Sequence, residues 1–273
     1  MKEELKLAVC QLRTELDREA TMKKASDMIA AAARNSCDIA VLPEMFNCPY
    51  SRKWFLTFSE TDTKKCLETM SAWAAKNGIL LIGGSIPEKT GDKLYNTCFV
   101  FDGSGELIAR HRKVHLFDVD IPGMRFAESD SFTPGSEITV FDTPFGIMGA
   151  AVCFDVRFPE LFRAMAVRGA QVIFLPAQFN MATGPAHWAE TLKIRAVDNE
   201  VFVVGASAAR YTGFKYECWG HSVVYDPFGV CLASADETEQ ILYADIDLKR
   251  VDEVRSQLPT FRRLRRDVYT VSE

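Results

Sequence analysis

Three residues with acid–base or nucleophilic side chains stand at the ends of apolar runs in the sequence. Glu44 closes the run DIAVLPE, Lys113 lies in HRKVHL, and Cys153 closes IMGAAVC. A thiol is a poor nucleophile until it loses its proton, a carboxylate can accept that proton, and a cation can stabilise an oxyanion. Nucleophile, base and oxyanion donor together predict an acyl-transfer site.

Each of these residues also has a structural interpretation. Glu44 could cap the segment after it, Lys113 could extend from a strand end into solvent, and Cys153 could pack as a buried thiol. The other seven cysteines are predicted to be small core residues, because most of them lie in apolar runs. No two cysteines are spaced C-x-x-C, so no zinc, iron–sulfur or thioredoxin-type site is expected, and no disulfide is expected either. The cysteines stand at positions 10, 37, 48, 66, 98, 153, 218 and 231.

The runs that carry these residues have the length and composition of buried strands. Short stretches rich in Val, Ile and Leu recur, and helical patterns lie between several of them. One amphipathic helix is predicted in REATMKKASDMIAAAARNSC, another is expected to stop at Gly78, and a third to begin near Pro159 and end before Gly169. In such an α/β fold the carboxyl ends of buried strands meet in one crevice. The predicted strands are LKLAVCQL, DIAVLPE, ILLIGGSIPE, IMGAAVCF, QVIFLPAQ and VFVVGASA.

Two hairpins interrupt this alternation and predict a mixed sheet with helices outside it. YNTCFVFDGSGELIARHRKVHL turns at DGSG, and GHSVVYDPFGVCLASA turns at DPFG. Asp and Gly suit such turns, so Gly103 and Gly105 are interpreted as turn residues and not as a nucleotide loop. The sequence contains no phosphate-binding loop, no dinucleotide fingerprint and no G-x-S-x-G motif.

Composition favours a globular protein without affinity for polyanions. The chain of 273 residues is 48% hydrophobic and 25% charged, with a net charge of −5. Neither nucleic acid nor a membrane surface is an expected partner of such a chain. No apolar stretch approaches the ~18 residues of a membrane span and the N-terminus does not resemble a signal peptide, so a cytoplasmic location is predicted. The arginines at positions 262, 263, 265 and 266 are predicted to form a solvated or subunit-contacting surface.

The segments LPEMFNCPY, RKVHLFD and GAAVCFDVRFPE resemble the three signature segments of the nitrilase (carbon–nitrogen hydrolase) superfamily, in the same order. The spacing of 69 residues from Glu44 to Lys113 and 40 more to Cys153 is also similar. Further segments resemble the omega-amidase branch, whose members release ammonia from small dicarboxylic monoamides such as 2-oxoglutaramate and succinamate. These segments are NCPYS, GGSIPE, KLYNTC, HLFDVDIPG, TGPAHW, RAVDN, WGHS and DIDL.

The resemblance extends over essentially the whole chain and implies the fold and the assembly. It implies an α/β four-layer α-β-β-α sandwich, with residues 1–273 as a single domain. It also implies a homodimer or higher homo-oligomer, in which the C-terminal tail from about residue 255 takes part in a subunit contact.

The resemblance further assigns roles to individual residues. Cys153 is implied as the nucleophile, Glu44 as the general base, and Lys113 with the backbone N–H of Phe154 as the oxyanion donors. Glu128, in GMRFAESDSF, matches a second glutamate of the family that holds the lysine and the substrate amide. The small-molecule amide and water are then the only reactants, so no cofactor and no metal is expected.

Residues that select the substrate are predicted less directly, from segments expected to reach the pocket. Arg157 and Arg195 could hold a distal carboxylate or act as structural ion-pair partners. Phe117 and Phe179 could form an apolar wall or belong to the core. The remaining candidates for substrate contact are Tyr50, Asn180 and Thr183.

Several alternatives remain open at this stage. His187 could pair with Cys153 as in papain-type enzymes, although the Glu–Lys pair is already sufficient. The chain could instead be another amidase of the superfamily, acting on deaminated glutathione, N-carbamoyl amines or aliphatic amides, or a nitrilase in the strict sense. A catalytically idle scaffold is a further possibility, against which the intact set of catalytic residue types argues.

Overall fold

The computed structural model describes residues 2–121, 124–265 and 267–269. Its helices are α1 (Arg18–Arg34), α2 (Arg52–Asn77), α3 (Pro159–Val167), α4 (Gly184–Asn199) and α5 (Lys249–Gln257). Short 3-10 helices occur at Glu128–Asp130, Cys153–Arg157 and Phe261–Arg263. The strands are β1 (Glu4–Gln11), β2 (Ile39–Val41), β3 (Leu80–Ile82), β4 (Ile86–Thr90), β5 (Lys93–Phe101), β6 (Leu107–Arg112), β7 (Asp118–Ile121), β8 (Met124–Ala127), β9 (Val140–Thr143), β10 (Gly146–Ala150), β11 (Val172–Ala177), β12 (Phe202–Ser207), β13 (Val223–Tyr225), β14 (Cys231–Ser234) and β15 (Gln240–Asp247).

These strands form two large mixed sheets and a small hairpin. The first sheet has the order β15-β1-β2-β3-β5-β4, with β6 paired to β5, and the second has the order β14-β13-β12-β11-β10-β9. β1, β2 and β3 run parallel, as do β10, β11 and β12. Strands β7 and β8 pair with each other. The predicted mixed architecture is therefore confirmed.

The two sheets pack face to face, and each carries helices on its outer face. Alternate residues of β1 show this division, since Leu7 and Val9 join the core between the sheets, whereas Ala8 and Cys10 face the side chains of α1 and α2. The core on the other side continues through the second sheet to α3 and α4. Because β1 is buried on both faces, its sequence is almost continuously apolar. The result is the expected four-layer α-β-β-α sandwich.

The predicted helices and hairpins agree with the structure in most details. The helix α2 ends at Gly78, which has a left-handed φ of 58°, and α3 begins at Pro159. Both hairpins are present as β5–β6 and β13–β14. The run ILLIGGSIPE, predicted as one strand, is divided into β3 and β4. The division falls at Gly84, where a Cβ would lie 2.2 Å from the carbonyl oxygen of Pro43, so the backbones approach too closely for any other residue.

Six of the seven cysteines predicted to be core residues are buried, but Cys231 is exposed. The prediction for Cys231 was wrong because β14 is the edge strand of its sheet and its side chains are largely solvent-facing. In the predicted contact tail, Arg266 and residues 270–273 lie outside the described residues. Among the helices of the described ranges, none is both long and apolar enough to cross a membrane.

Candidate active site

Three strand ends from two sheets converge on one buried cluster. Glu44 follows β2 and Lys113 follows β6 in the first sheet, whereas Cys153 follows β10 in the second. Lys113 Nζ lies 2.9 Å from Glu44 Oε1 and 2.7 Å from Glu128 Oε2. The side chains of Lys113 and both glutamates are completely buried. The structure thus brings together the four residues that the sequence singled out for catalysis.

Burial and charge act in opposite directions on this cluster. Burial alone would lower the pKa of Lys113, but Glu128 and Glu44 raise it, so the ammonium stays protonated. Burial raises the pKa of Glu44, and the repulsion from Glu128 adds to this, whereas the Lys113 ammonium opposes it. Glu44 is therefore a stronger proton acceptor than an exposed carboxylate.

Cys153 is held in a strained backbone conformation at the start of a 3-10 helix. Its φ is 47°, which is uncommon for a residue with a side chain and is typical of functional turns. The thiol interacts electrostatically with the carboxylate of Glu44 and with the backbone N–H of Gln178. Burial, and then the charge of Glu44, raise the pKa of Cys153 well above its usual value. The resting group is a neutral thiol, so it needs a base at the moment of attack.

Asp155 connects the turn that carries Cys153 to the strand end that carries Lys113. Its carboxylate accepts hydrogen bonds from His111 Nε2 at 2.9 Å and from the backbone N–H and ring Nδ1 of His115 at 2.9 and 2.8 Å. It also accepts from the Val152 N–H. Burial would raise the pKa of Asp155, but the hydrogen bonds from both histidines hold it well below its usual range. A buried anion therefore fixes nucleophile and lysine relative to each other.

A small pocket lies beside Cys153. Five predicted substrate residues line it, together with Phe117, which was expected in an apolar wall. The lining consists of Phe117, Cys153, Phe154, Arg157, Gln178, Phe179, Asn180, Thr183 and Tyr216.

Arg157 is the cationic group of this pocket. Its guanidinium lies over the rings of Phe179 and Phe154, at 5.1 and 5.6 Å from their centroids. Its Nη1 lies 3.2 Å from His187 Nδ1, and its buried Nε has no hydrogen-bond partner among the described residues. Within the described ranges no carboxylate forms an ion pair with it. Burial lowers the pKa of Arg157, whereas Cys153 and Tyr216 act in the opposite direction.

The other predicted residues have supporting positions. Tyr50 lies behind the pocket wall, where its ring stacks on Tyr216 at 4.6 Å between centroids. Asn180 accepts hydrogen bonds from the N–H groups of Ala182 and Thr183, which stabilises the turn into α4. Arg195 donates to the carbonyl oxygen of Val156 and lies 3.5 Å from Asp198, so it is structural. His187 contacts Arg157, in place of the papain-type pairing with Cys153.

Sequence reasoning missed several residues of the site. Four residues that were assigned no role contact the catalytic cluster or the pocket. They are Asn96, Asp155, Gln178 and Tyr216. The nearest signal was for Asp155, in the two histidines on either side of Lys113, because the rings of His111 and His115 both bind its carboxylate. Asn96 and Gln178 lie in strands and strand ends that read simply as buried structure.

Comparison with known proteins gives the family. Residues 6–256 match the profile of the carbon-nitrogen hydrolase family. The chain is 44% identical to omega-amidase NIT2 of Mus musculus and 45% identical to omega-amidase NIT2 of Homo sapiens, covering 97% of both chains in each case. The crystal structure of Saccharomyces cerevisiae Nit3, a nitrilase-superfamily member, superimposes with a TM-score of 0.90 at 38% identity, covering 97% of this chain and 98% of that one. The resemblance seen in the sequence is confirmed, and the chain is a member of the carbon–nitrogen hydrolase family.

Proposed function

We propose that the protein is a thiol amidohydrolase that releases ammonia from small dicarboxylic monoamides such as succinamate and 2-oxoglutaramate. The observation that supports this substrate class is the position of Arg157, a half-buried cation in the pocket beside Cys153. Relatives that are 44% and 45% identical over nearly the whole chain are omega-amidases, which supports the same class. The net charge of −5 favours such a small substrate over a nucleic acid.

Arg157 is suited to bind a carboxylate at the end of the substrate remote from the amide. A guanidinium pairs with a carboxylate through two parallel hydrogen bonds, and this geometry fixes orientation as well as affinity. The Nε of Arg157 lacks a hydrogen-bond partner among the described residues, which leaves a donor for such a ligand. The rings of Phe154 and Phe179 flank the guanidinium and would cover the aliphatic chain between the two ends of the substrate.

Acylation begins when Glu44 accepts the thiol proton and the sulfur of Cys153 forms a bond to the amide carbon. The negative charge that develops on the amide oxygen is stabilised by the Lys113 ammonium and the Phe154 N–H. The carbon–nitrogen bond then breaks, Glu44 returns the proton to the nitrogen, and ammonia leaves. Glu128 keeps Lys113 oriented through the contact at 2.7 Å. The product of this half-reaction is a thioester on Cys153.

Deacylation uses the same base a second time. Glu44 removes a proton from water, the hydroxide oxygen adds to the thioester carbon, and the carbon–sulfur bond breaks. The thiolate takes the proton back from Glu44, and the dicarboxylic acid leaves. The sum of both halves is amide plus water giving acid plus ammonia, so the cycle needs neither a cofactor nor a metal.

Ammonia release from a panel of amides tests the proposed substrate class. Succinamate and 2-oxoglutaramate are expected to exceed butyramide in kcat/KM by about 100-fold, because butyramide lacks the carboxylate that pairs with Arg157. Turnover restricted to N-carbamoyl amines, deaminated glutathione or neutral aliphatic amides would keep the family and reject this class. Turnover of a nitrile in preference to its amide would indicate a nitrilase in the strict sense.

Replacing Arg157 by methionine is expected to lower kcat/KM for succinamate by about 100-fold and to change that for butyramide by less than about threefold. The lower kcat/KM should result mainly from a higher KM, because the carboxylate is bound equally in the ground and transition states. Steady-state kinetics with both amides measures this. Arg163→Met, which removes another half-buried arginine that lies over Phe261, is the control and should leave both values unchanged. Equal losses on both amides in Arg157→Met would contradict a carboxylate-binding role.

We also propose that residues 1–273 form one domain that assembles as a homodimer or higher homo-oligomer in the cytoplasm. Pairing of β1 with β15 places residues 4–11 and 240–247 side by side in one sheet, which supports a single domain. Exposed apolar residues on α4 and the β13–β14 hairpin support a subunit contact, because a patch of this kind is typical of interfaces. They are Ile194, Phe228, Val230 and Leu232. Free cysteines suit a reducing compartment. Sedimentation velocity at micromolar concentration tests the assembly, and a monomer would contradict it.

A further inference from the structure

We propose that Asn96 is a positioning residue that locks one oxygen of Glu44 and thereby leaves the other, Oε2, to exchange protons with Cys153 and with water. This inference rests on the role of Glu44 as the base of the proposed amidase. Asn96 is not a group that touches the substrate. It acts through the carboxylate that it holds.

Asn96 lies on β5 and contacts three members of the catalytic cluster. Its side-chain Nδ2 donates to Glu44 Oε1 at 2.7 Å and to Glu128 Oε1 at 3.0 Å. Its backbone carbonyl oxygen accepts a hydrogen bond from the backbone N–H of Lys113 at 2.8 Å. The side chain is 1% exposed, so no solvent competes for these bonds. One amide group therefore uses each of its two protons on a different carboxylate.

The two oxygens of Glu44 have different partners as a result. Oε1 accepts from Lys113 Nζ at 2.9 Å and from Asn96 Nδ2 at 2.7 Å. Oε2 accepts from the backbone N–H of Gln178 at 3.0 Å. A carboxylate oxygen has two lone pairs, so two donors fill Oε1, whereas Oε2 keeps one lone pair for a proton. The nearby thiol of Cys153 interacts with this carboxylate.

The contribution of Asn96 is also electrostatic, although it carries no charge. It donates a hydrogen bond to the buried Glu44 carboxylate, and so it favours the ionised form of Glu44. Without it, Glu44 would be protonated over a wider range of pH and would be unable to accept the thiol proton there. The titratable groups that interact with Glu44 across the site are Lys113, Glu128, Cys153, Cys218, Tyr50 and Tyr216.

Asn96→Leu tests the inference with a side chain of nearly the same size that cannot donate. The acid limb of the kcat/KM profile for succinamate is expected to move to higher pH by about one unit or more, because hydrogen bonds to a charged group are worth about one to two pKa units. At pH 7 we expect kcat to fall by about 10- to 100-fold. KM should change by less than about threefold, because Arg157 and the pocket are untouched.

The control variant is Thr97→Val, on the same strand. Thr97 is also fully buried and donates its hydroxyl to a glutamate, Glu88, at 2.7 Å, but it lies outside the catalytic cluster. It should leave the acid limb and kcat unchanged. Asn96→Asp, which keeps the shape of the side chain, provides a second test if Asn96→Leu fails to fold. It should also move the acid limb to higher pH. A folded variant with an unmoved acid limb would overturn the inference, even if its kcat were lower.

A direct titration separates failure of this inference from failure of the proposed function. The carboxyl carbon of Glu44 can be observed by NMR in protein labelled with ¹³C-glutamate and identified by its loss in Glu44→Gln. Its titration should shift upward in Asn96→Leu and remain in place in Thr97→Val. An unmoved resonance in Asn96→Leu overturns the positioning role. Absence of ammonia release by the unaltered protein rejects the amidase function alone, because the NMR titration needs no substrate.

Discussion

Cys153→Ala is expected to lower the rate of ammonia release from succinamate by about 10⁴-fold or more while the protein remains folded. The thiol forms the covalent bond of the proposed mechanism, and the pocket lining that the structure describes contains no second cysteine. Removing one sulfur atom from a side chain at the pocket leaves the packing of both sheets intact. Activity measured by coupled ammonia detection, with circular dichroism as a check of folding, gives the result.

Mass spectrometry under denaturing conditions connects this loss to the intermediate. Brief exposure to succinamate should produce a labile adduct with the mass of the acyl group, and Cys153→Ala should lack it. Cys231 is exposed and could react nonspecifically, so the measurement is best made in a Cys231→Ser background, which should retain full activity. Persistence of turnover in Cys153→Ala, or failure of the unaltered protein to form an adduct and turn over any amide, would favour an idle scaffold or a different nucleophile.

Lys113→Met is expected to destabilise the protein by about 3–5 kcal/mol at pH 7 and to abolish most of its activity. The ammonium is the cation between Glu44 and Glu128, and its side chain is completely buried. Removing one partner of a buried ion pair leaves charge without compensation, which costs far more than loss of a surface pair. Chemical denaturation at pH 7 measures the change in the free energy of unfolding.

The loss in Lys113→Met should depend on pH in a defined direction. Burial already raises the pKa of Glu44, and the ammonium that opposes this effect is gone in the variant. In the unfolded chain Glu44 then loses its proton near pH 4.3, whereas in the folded state Glu44 retains the proton to higher pH. Protonated Glu44 therefore contributes its full stabilisation at pH values below about 4.3. This contribution is lost as the pH rises through the raised pKa of Glu44 in the folded state. The difference from the unaltered protein should be smallest at acid pH.

Two variants serve as controls for Lys113→Met. Lys23→Met breaks a solvent-exposed pair with Asp27 on α1, at 2.6 Å, and should change stability by less than about 0.5 kcal/mol. Adding Glu128→Gln to Lys113→Met should recover part of the lost stability, because it removes one of the two unpaired carboxylates. A loss below about 1 kcal/mol for Lys113→Met at pH 7 would show that the cluster tolerates the missing cation.

The sequence by itself determined a mixed α/β fold and the residue types of the catalytic cluster, whereas the four-layer arrangement was implied only by the family resemblance. Short, uniformly apolar runs are typical of buried strands, and in an α/β fold the polar residues at their carboxyl ends are expected in one crevice. This reasoning, together with the family resemblance, named Glu44, Lys113, Cys153 and Glu128. It failed at Cys231, because exposure of an edge strand depends on which strands are neighbours and not on local composition.

Only the tertiary structure decided how these groups are held. Glu44 and Lys113 are 69 residues apart and lie at the ends of two strands of one sheet, while Cys153 comes from the other sheet, so their distances follow from how the sheets pack. The same packing places Arg157 where no carboxylate among the described residues pairs with it. It also brings the side chain of Asn96 within hydrogen-bond distance of both Glu44 and Glu128. Hydrogen bonds and burial are properties of neighbours in space. Residues distant in the chain become such neighbours only when both sheets and their helices have assembled.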